Sequence, residues 1–231
     1  MKAQRIRITF ARGPELKYIT HLDMMRFWER ALRRAGVPLA YSEGFSPHPQ
    51  ISLAAPLAVG TTSDAELMDV YLSEAMAPQE LIRLVMQKVP AGVQIVSAQE
   101  VGMGLPALQA DVRFAEYLVD VEGASEPAAR DAVERFLTAE TIPWEHKRQE
   151  ETRSYDIRAQ VAELGIAHIE GDRIMLRMRL KNDNTGSGRP EQVVAALGLG
   201  KPARIHRTKL ILESAVSPAR KAWRERGRFE D

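Results

Sequence analysis

One order of elements runs through the first half of the chain and again through the second: strand, helix, strand, strand, helix, strand. Residues 5–11 put Ile6, Ile8 and Phe10 on one side and Arg5, Arg7 and Thr9 on the other, the period of a half-buried strand. Thr20 and Asp23 resemble a capping box with Asp in the place of Glu. Met24, Phe27, Trp28, Ala31, Leu32 and Ala35 then recur at helical spacing up to Gly36. Short apolar runs at 38–42 and 50–55, separated by GFSPHP, and the alternating 66–72 supply strands; 78–89 reads as a helix and 93–101 as a strand. In the second half 114–121, 142–147, 154–164, 173–181 and 204–213 read as strands, and 126–139 and 190–197 as helices, the latter with Pro190 in its first turn. The order predicts an α+β protein of tandem ferredoxin-like (split βαβ) domains with antiparallel sheets. Its expected parts are 1–101, a linker at 102–110, 111–215 with an extra hairpin, and a charged tail at 216–231. The halves share element order and no residue-level repeat.

Composition narrows the chemistry more than the fold. The 231 residues contain no Cys, which excludes disulfides, thiolate catalysis and an iron–sulfur cluster held by this chain's own cysteines. With 32 Lys and Arg against 31 Asp and Glu the net charge is +1, so any nucleic-acid binding must come from local patches. No apolar run approaches the roughly 20 residues that span a bilayer, and the first residues alternate charge, so no membrane partner is expected and the expected compartment is the cytoplasm. The five His residues are scattered without metal-ligand spacing, and neither a nucleophile elbow nor a dinucleotide fingerprint occurs. No cofactor or metal is expected, and the catalytic residues are unknown.

Binding candidates fall into three groups. Arg26, Arg30 and Arg33 stand at i, i+4 and i+7 on the predicted first helix, where they read either as a clamp for phosphate or carboxylate or as a solvated face balanced by Asp23 and Glu29. In GFSPHP the two prolines fix the backbone on either side of His48, so the turn can aim an imidazole beside Phe45, or be only a loop. In the second half Arg173, Arg177, Arg179 and Lys181 share one strand face as a charged outer stripe. Arg204 and His206 share one face of the last strand with Arg207 on the other, and Arg158 and Arg189 complete the set. The Gly-rich 182–190 reads as a flexible connection rather than a phosphate cradle, since it lacks the Lys-Ser or Lys-Thr ending of a P-loop.

HLDMMRFWERALRRAG, GFSPHPQISLAAPLAVG, AELMDVYL, SYDIR, GRPEQVVAALG and RIHRT together resemble the radical-SAM-linked proteins, an uncharacterised bacterial family encoded beside, or fused behind, a radical SAM protein. That family usually has Asn in place of Ser46 and Lys or Arg in place of Gln50. The resemblance implies a companion of a radical SAM enzyme, which would carry the cluster this chain cannot hold. Tandem split βαβ units with an early His and a late Gly-rich loop are also similar, in architecture, to the repeat-processing RNA endonucleases of CRISPR systems. The expected function is a noncatalytic RNA-binding or substrate-presenting partner in tRNA or rRNA modification. A protein-docking module without nucleic acid is the alternative, and a metal-free RNA endonuclease using His48 or His21 a third.

Overall fold

The computed structural model describes residues 1–148, 151–183 and 185–216. Its chain divides into two units: Met1–Val112 together with the segment that begins at Glu213, and Arg113–Leu212.

In the first unit the alternating segment forms β1 (Gln4–Arg12), with Ile6, Ile8 and Phe10 in the core. Arg12 donates to the carbonyls of Leu16 (2.7 Å) and Ile19, which fixes the chain leading into the first helix. That helix, α1 (His21–Arg34), starts where the sequence predicts: Thr20 Oγ1 accepts from the Asp23 backbone N–H at 3.2 Å and donates to the Asp23 carboxylate at 2.7 Å. It ends in a Schellman turn, Gly36 N–H to Arg33 O (3.1 Å) and Val37 N–H to Leu32 O (3.2 Å), with Gly36 at a φ of 70° that other residues resist. Then follow β2 (Ile51–Leu53), β3 (Thr62–Leu72), α2 (Pro78–Met86), β4 (Val93–Glu100) and α3 (Leu108–Asp111).

The four strands stand in the order β4-β1-β3-β2, each neighbour antiparallel. Met24, Trp28 and Leu32 of α1 and Leu81 and Val85 of α2 pack with Ile6, Ile8 and Phe10 in one cluster. Trp28 is fully buried and meets the rings of Phe10 and Phe27 edge-on at 4.8 and 5.2 Å, a favoured arrangement for aromatic pairs.

The other side of β1 corrects the half-buried expectation, because Arg5 and Arg7 are as buried as the apolar residues between them. Asp69 of β3 lies opposite Arg7 in register and is fully buried. Its Oδ1 accepts from Arg7 Nε at 2.7 Å, and its Oδ2 from Arg7 Nη2 at 2.9 Å and Arg5 Nε at 2.9 Å. Arg5 donates further to the carbonyls of Leu105 and Pro106, both at 2.8 Å, so the segment predicted as a plain linker is anchored to the sheet.

In the second unit come β5 (Val112–Glu122), α4 (Glu126–Thr138), β6 (Pro143–Arg148), β7 (Glu151–Asp156), β8 (Val161–Glu170), β9 (Arg173–Asp183), β10 (Gly186–Ser187), α5 (Pro190–Ala196) and β11 (Arg204–Leu212). The order is β10-β9-β5-β11 with β8 also on β9, and β6 and β7 pair as a separate hairpin. Its main strands therefore follow β11-β5-β9-β8, the same fourth-first-third-second pattern as in the first unit. The fold is mixed α+β, and the pairs β1–β3, β5–β9 and β8–β9 are antiparallel. The run 154–164, read as one strand, is two: Asp156 Oδ1 accepts from the N–H groups of Ile142 (2.8 Å) and Arg158 (2.9 Å), and this turn ends β7. Strand β8 then continues through Gly165–Glu170, where the Gly-flanked pattern predicts a connection between strands.

The last described helix, α6 (Glu213–Val216), returns to the first unit. Ser214 donates to the fully buried Asp111 carboxylate through its N–H (3.0 Å) and its hydroxyl (2.6 Å). The charged tail lies, from residue 217 on, outside the described residues.

Removing Asp69 leaves two buried guanidiniums without their carboxylate, so Asp69→Ala is expected to cost about 3–5 kcal/mol, read from urea unfolding. A loss under about 1 kcal/mol would show that solvent reaches the cluster.

Candidate nucleic-acid interface

Helix α1 presents its apolar stripe to the core and three arginines to solvent. Arg26 is 70% exposed and stands 3.7 Å from Asp23, and Arg33 stands 3.6 Å from Glu29. Exposed pairs this long and this wet contribute little to stability. Arg30 makes no ion pair among the described residues; its Nε donates to the Arg26 carbonyl at 3.2 Å. Arg34, next on the helix, donates to the Lys88 carbonyl at 3.3 Å. Sequence reasoning missed Arg34 and Lys88, which lie 54 positions apart and carry no shared linear signal.

The GFSPHP turn is held at its base. Ser42 N–H donates to the His48 carbonyl at 2.9 Å, His48 N–H donates to Ser42 Oγ at 3.0 Å, and Tyr41 bridges to Pro49. Below it, Ala40 and Gln50 bond to the two sides of Tyr71 at the end of β3, so the turn projects from the sheet edge. Gly44 takes a φ of 113°, and Phe45, next to it, is fully exposed; His48 is exposed as well. A fully exposed Phe on a turn pinned by backbone bonds buries nothing within its own unit.

In the second unit the candidates separate into different jobs. Arg207 is 1% exposed, and its guanidinium does not face solvent. Arg158 donates to the carbonyls of Val161 (3.0 Å) and Leu137 (3.4 Å), closing the turn between β7 and β8. Arg189 is exposed where α5 begins, and His206 is half-buried. Arg204 Nε and Arg173 Nη2 donate to the same oxygen of Asp120, at 2.8 and 2.5 Å, while Asp120 itself is buried. The outer stripe on β9 is thus ion-paired in large part, with Arg179 held by Glu116 at 2.7 Å and by Glu163. Arg177 is exposed and lies across from Leu118 and Gly165.

Burial alone pushes the Asp120 carboxyl up, but hydrogen bonds from Arg173 and Arg204, with their charges, outweigh it and hold the group below its ordinary value. The stabilisation this brings is complete above the unfolded carboxylate range and is lost as pH falls through the lower folded value. Replacing Arg173 and Arg204 by Met is therefore expected to move acid unfolding to higher pH, as followed by circular dichroism. Phe45→Ala, by contrast, is expected to change stability by less than about 0.5 kcal/mol in the same assay, since the ring touches nothing that unfolding would expose.

Among the described residues no group of three or more His, Cys, Asp or Glu side chains is placed to hold a metal ion, and no helix is long and apolar enough to cross a membrane. A family model described as an uncharacterized protein conserved in bacteria (DUF2344) matches residues 5–190. No curated protein matches the sequence. Among solved structures, the chain is similar to part of a Cbf5-Nop10-Gar1 complex, at 13% identity and a TM-score of 0.46, covering 87% of this chain and 48% of the other. It is similar likewise to part of the archaeal box H/ACA sRNP Nop10-Cbf5 complex, at 15% identity and a TM-score of 0.43, covering 91% and 48%. The chain thus spans about half the length of the chains it matches.

Proposed function

The chain belongs to this uncharacterised bacterial family, and we propose that it is a noncatalytic RNA-binding or substrate-presenting subunit, built of two split βαβ units, that works beside a radical SAM enzyme. The observation that carries the reading is the row of Arg26, Arg30 and Arg33 on the exposed side of α1, where long or absent ion pairs leave the guanidiniums to a ligand. Phosphate contacts of this kind position a nucleic acid without reading its sequence. Phe45 and His48 add a ring and an imidazole on a pinned turn, the groups that stack on and hydrogen-bond to unpaired bases. Within the second unit, Arg189, Arg204 and His206 offer further polar and cationic groups for RNA, whereas Arg158 closes a turn and Arg207 is buried. The setting is modification of tRNA or rRNA in the cytoplasm, with the partner supplying the cluster that a chain without Cys cannot hold.

The full exposure of Phe45 favours a second reading, in which that ring docks into the radical SAM protein itself. The two readings part in one experiment: crosslinking and sequencing of RNA on the tagged protein, with Arg26→Ala/Arg30→Ala/Arg33→Ala as control. A defined RNA lost in the triple variant is expected, and binding in vitro should lose about two units of salt slope, three single-strand phosphate contacts at about 0.7 each. No RNA above the control, with partner recovery unaffected by nuclease, would establish docking in its place.

A further inference from the structure

Phe27 and Arg34 of α1 and the turn that follows α2 line an open surface groove of about 460 Å³, together with Gln87, Lys88, Val89 and Pro90. That size lies in the range of sites for small ligands, about 300–1,000 Å³. Its walls are of two kinds. Phe27, Val89 and Pro90 are apolar, while Arg34 and Lys88 are exposed cations with no carboxylate partner among the described residues. Gln87 brings an amide that both donates and accepts. Arg30 lies one helical turn before Arg34, also without an ion pair among the described residues.

The electrostatic balance favours an anion despite the helix ends nearby. Both α1 and α2 terminate beside the groove, and each C-terminus carries about half a negative charge. Arg34 and Lys88 bring two full positive charges against that, with Arg30 one helical turn further back. An apolar ligand would leave the cations without a partner, and free phosphate would leave the apolar wall wet. A planar base joined to a phosphate satisfies both, and Gln87 can pair with the base edge. A duplex keeps its bases stacked inside, so the fitting ligand is unpaired.

We propose that this groove holds one unpaired nucleotide of an RNA, its base against Phe27 and Pro90 and its phosphate on Arg34 and Lys88. The inference rests on the RNA-binding reading and adds to it a site for the base.

The test is anisotropy of a short fluorescein-labelled single-stranded RNA over a series of salt concentrations, with 4-thiouridine crosslinking to locate contacts. Lys88→Ala is expected to weaken binding severalfold and to lower the salt slope by about 0.7. Phe27→Leu should weaken binding about tenfold with the slope unchanged, because a stacked ring releases no counterion. AMP should compete better than ribose 5-phosphate, and crosslinks should fall at Phe27 and at residues 87–90. Because Phe27 packs on Trp28, the exposed Lys88 carries the test should Phe27→Leu fail to fold. RNA bound through Arg26, Arg30 and Arg33 yet indifferent to Lys88, or AMP no better than ribose 5-phosphate, would overturn the nucleotide site and leave the RNA reading standing. No binding of RNA by the wild-type chain would overturn both.

Discussion

Asp69 holds the first unit in one register. Its carboxylate takes four hydrogen bonds from two buried arginines on the neighbouring strand, and a slip of one residue between β1 and β3 would turn those arginines into the apolar core and Ile6 and Ile8 out of it. Two guanidiniums on one carboxylate leave a buried excess of one positive charge. The carbonyls of Leu105 and Pro106 meet it with their dipoles, so the chain leaving β4 is tied to the same point. Buried ionic groups are costly to desolvate, and their use here is best understood as selecting an arrangement more than adding stability. With that side of the sheet committed, α1 has only the opposite side to cover, and its arginine row faces outward as a result.

The arginines of this chain thus do two kinds of work that a net charge of +1 conceals. Arg5, Arg7 and Arg12 are buried and bonded, and Arg158 and Arg179 bridge carbonyls or carboxylates. Arg26, Arg30, Arg33 and Arg34 bind nothing strongly within the fold. It is this second set, gathered on one helix of the first unit, on which the proposed RNA-binding reading rests.

Much of the fold was legible because its signals are local. The alternation of Ile6, Ile8 and Phe10, the Thr20 cap and the Gly36 stop are each written within a few residues, and the structure places a strand, a helix start and a helix end there. The burial of Arg5 and Arg7 was not legible, since their partner is a single Asp on another strand and two main-chain carbonyls, which have no sequence signature. The break at Asp156 was hidden for the same reason: what ends the strand is where one carboxylate oxygen points. The arginine row and the turn were visible as candidates. The groove was not, because Phe27 reads as a core residue, and Lys88 sits on a different element from Arg34.

The pairing of Ser214 with Asp111 makes the second unit an insertion within the chain of the first. The two residues are 103 positions apart, so at a synthesis rate of about 5–20 residues per second the Asp111 carboxylate waits on the order of 5–20 seconds for its partner to leave the ribosome. Through that interval the first unit has all four of its strands and lacks only this closing contact. The first unit therefore holds its whole sheet early in synthesis, yet is closed only once the final strand of the second unit has been made.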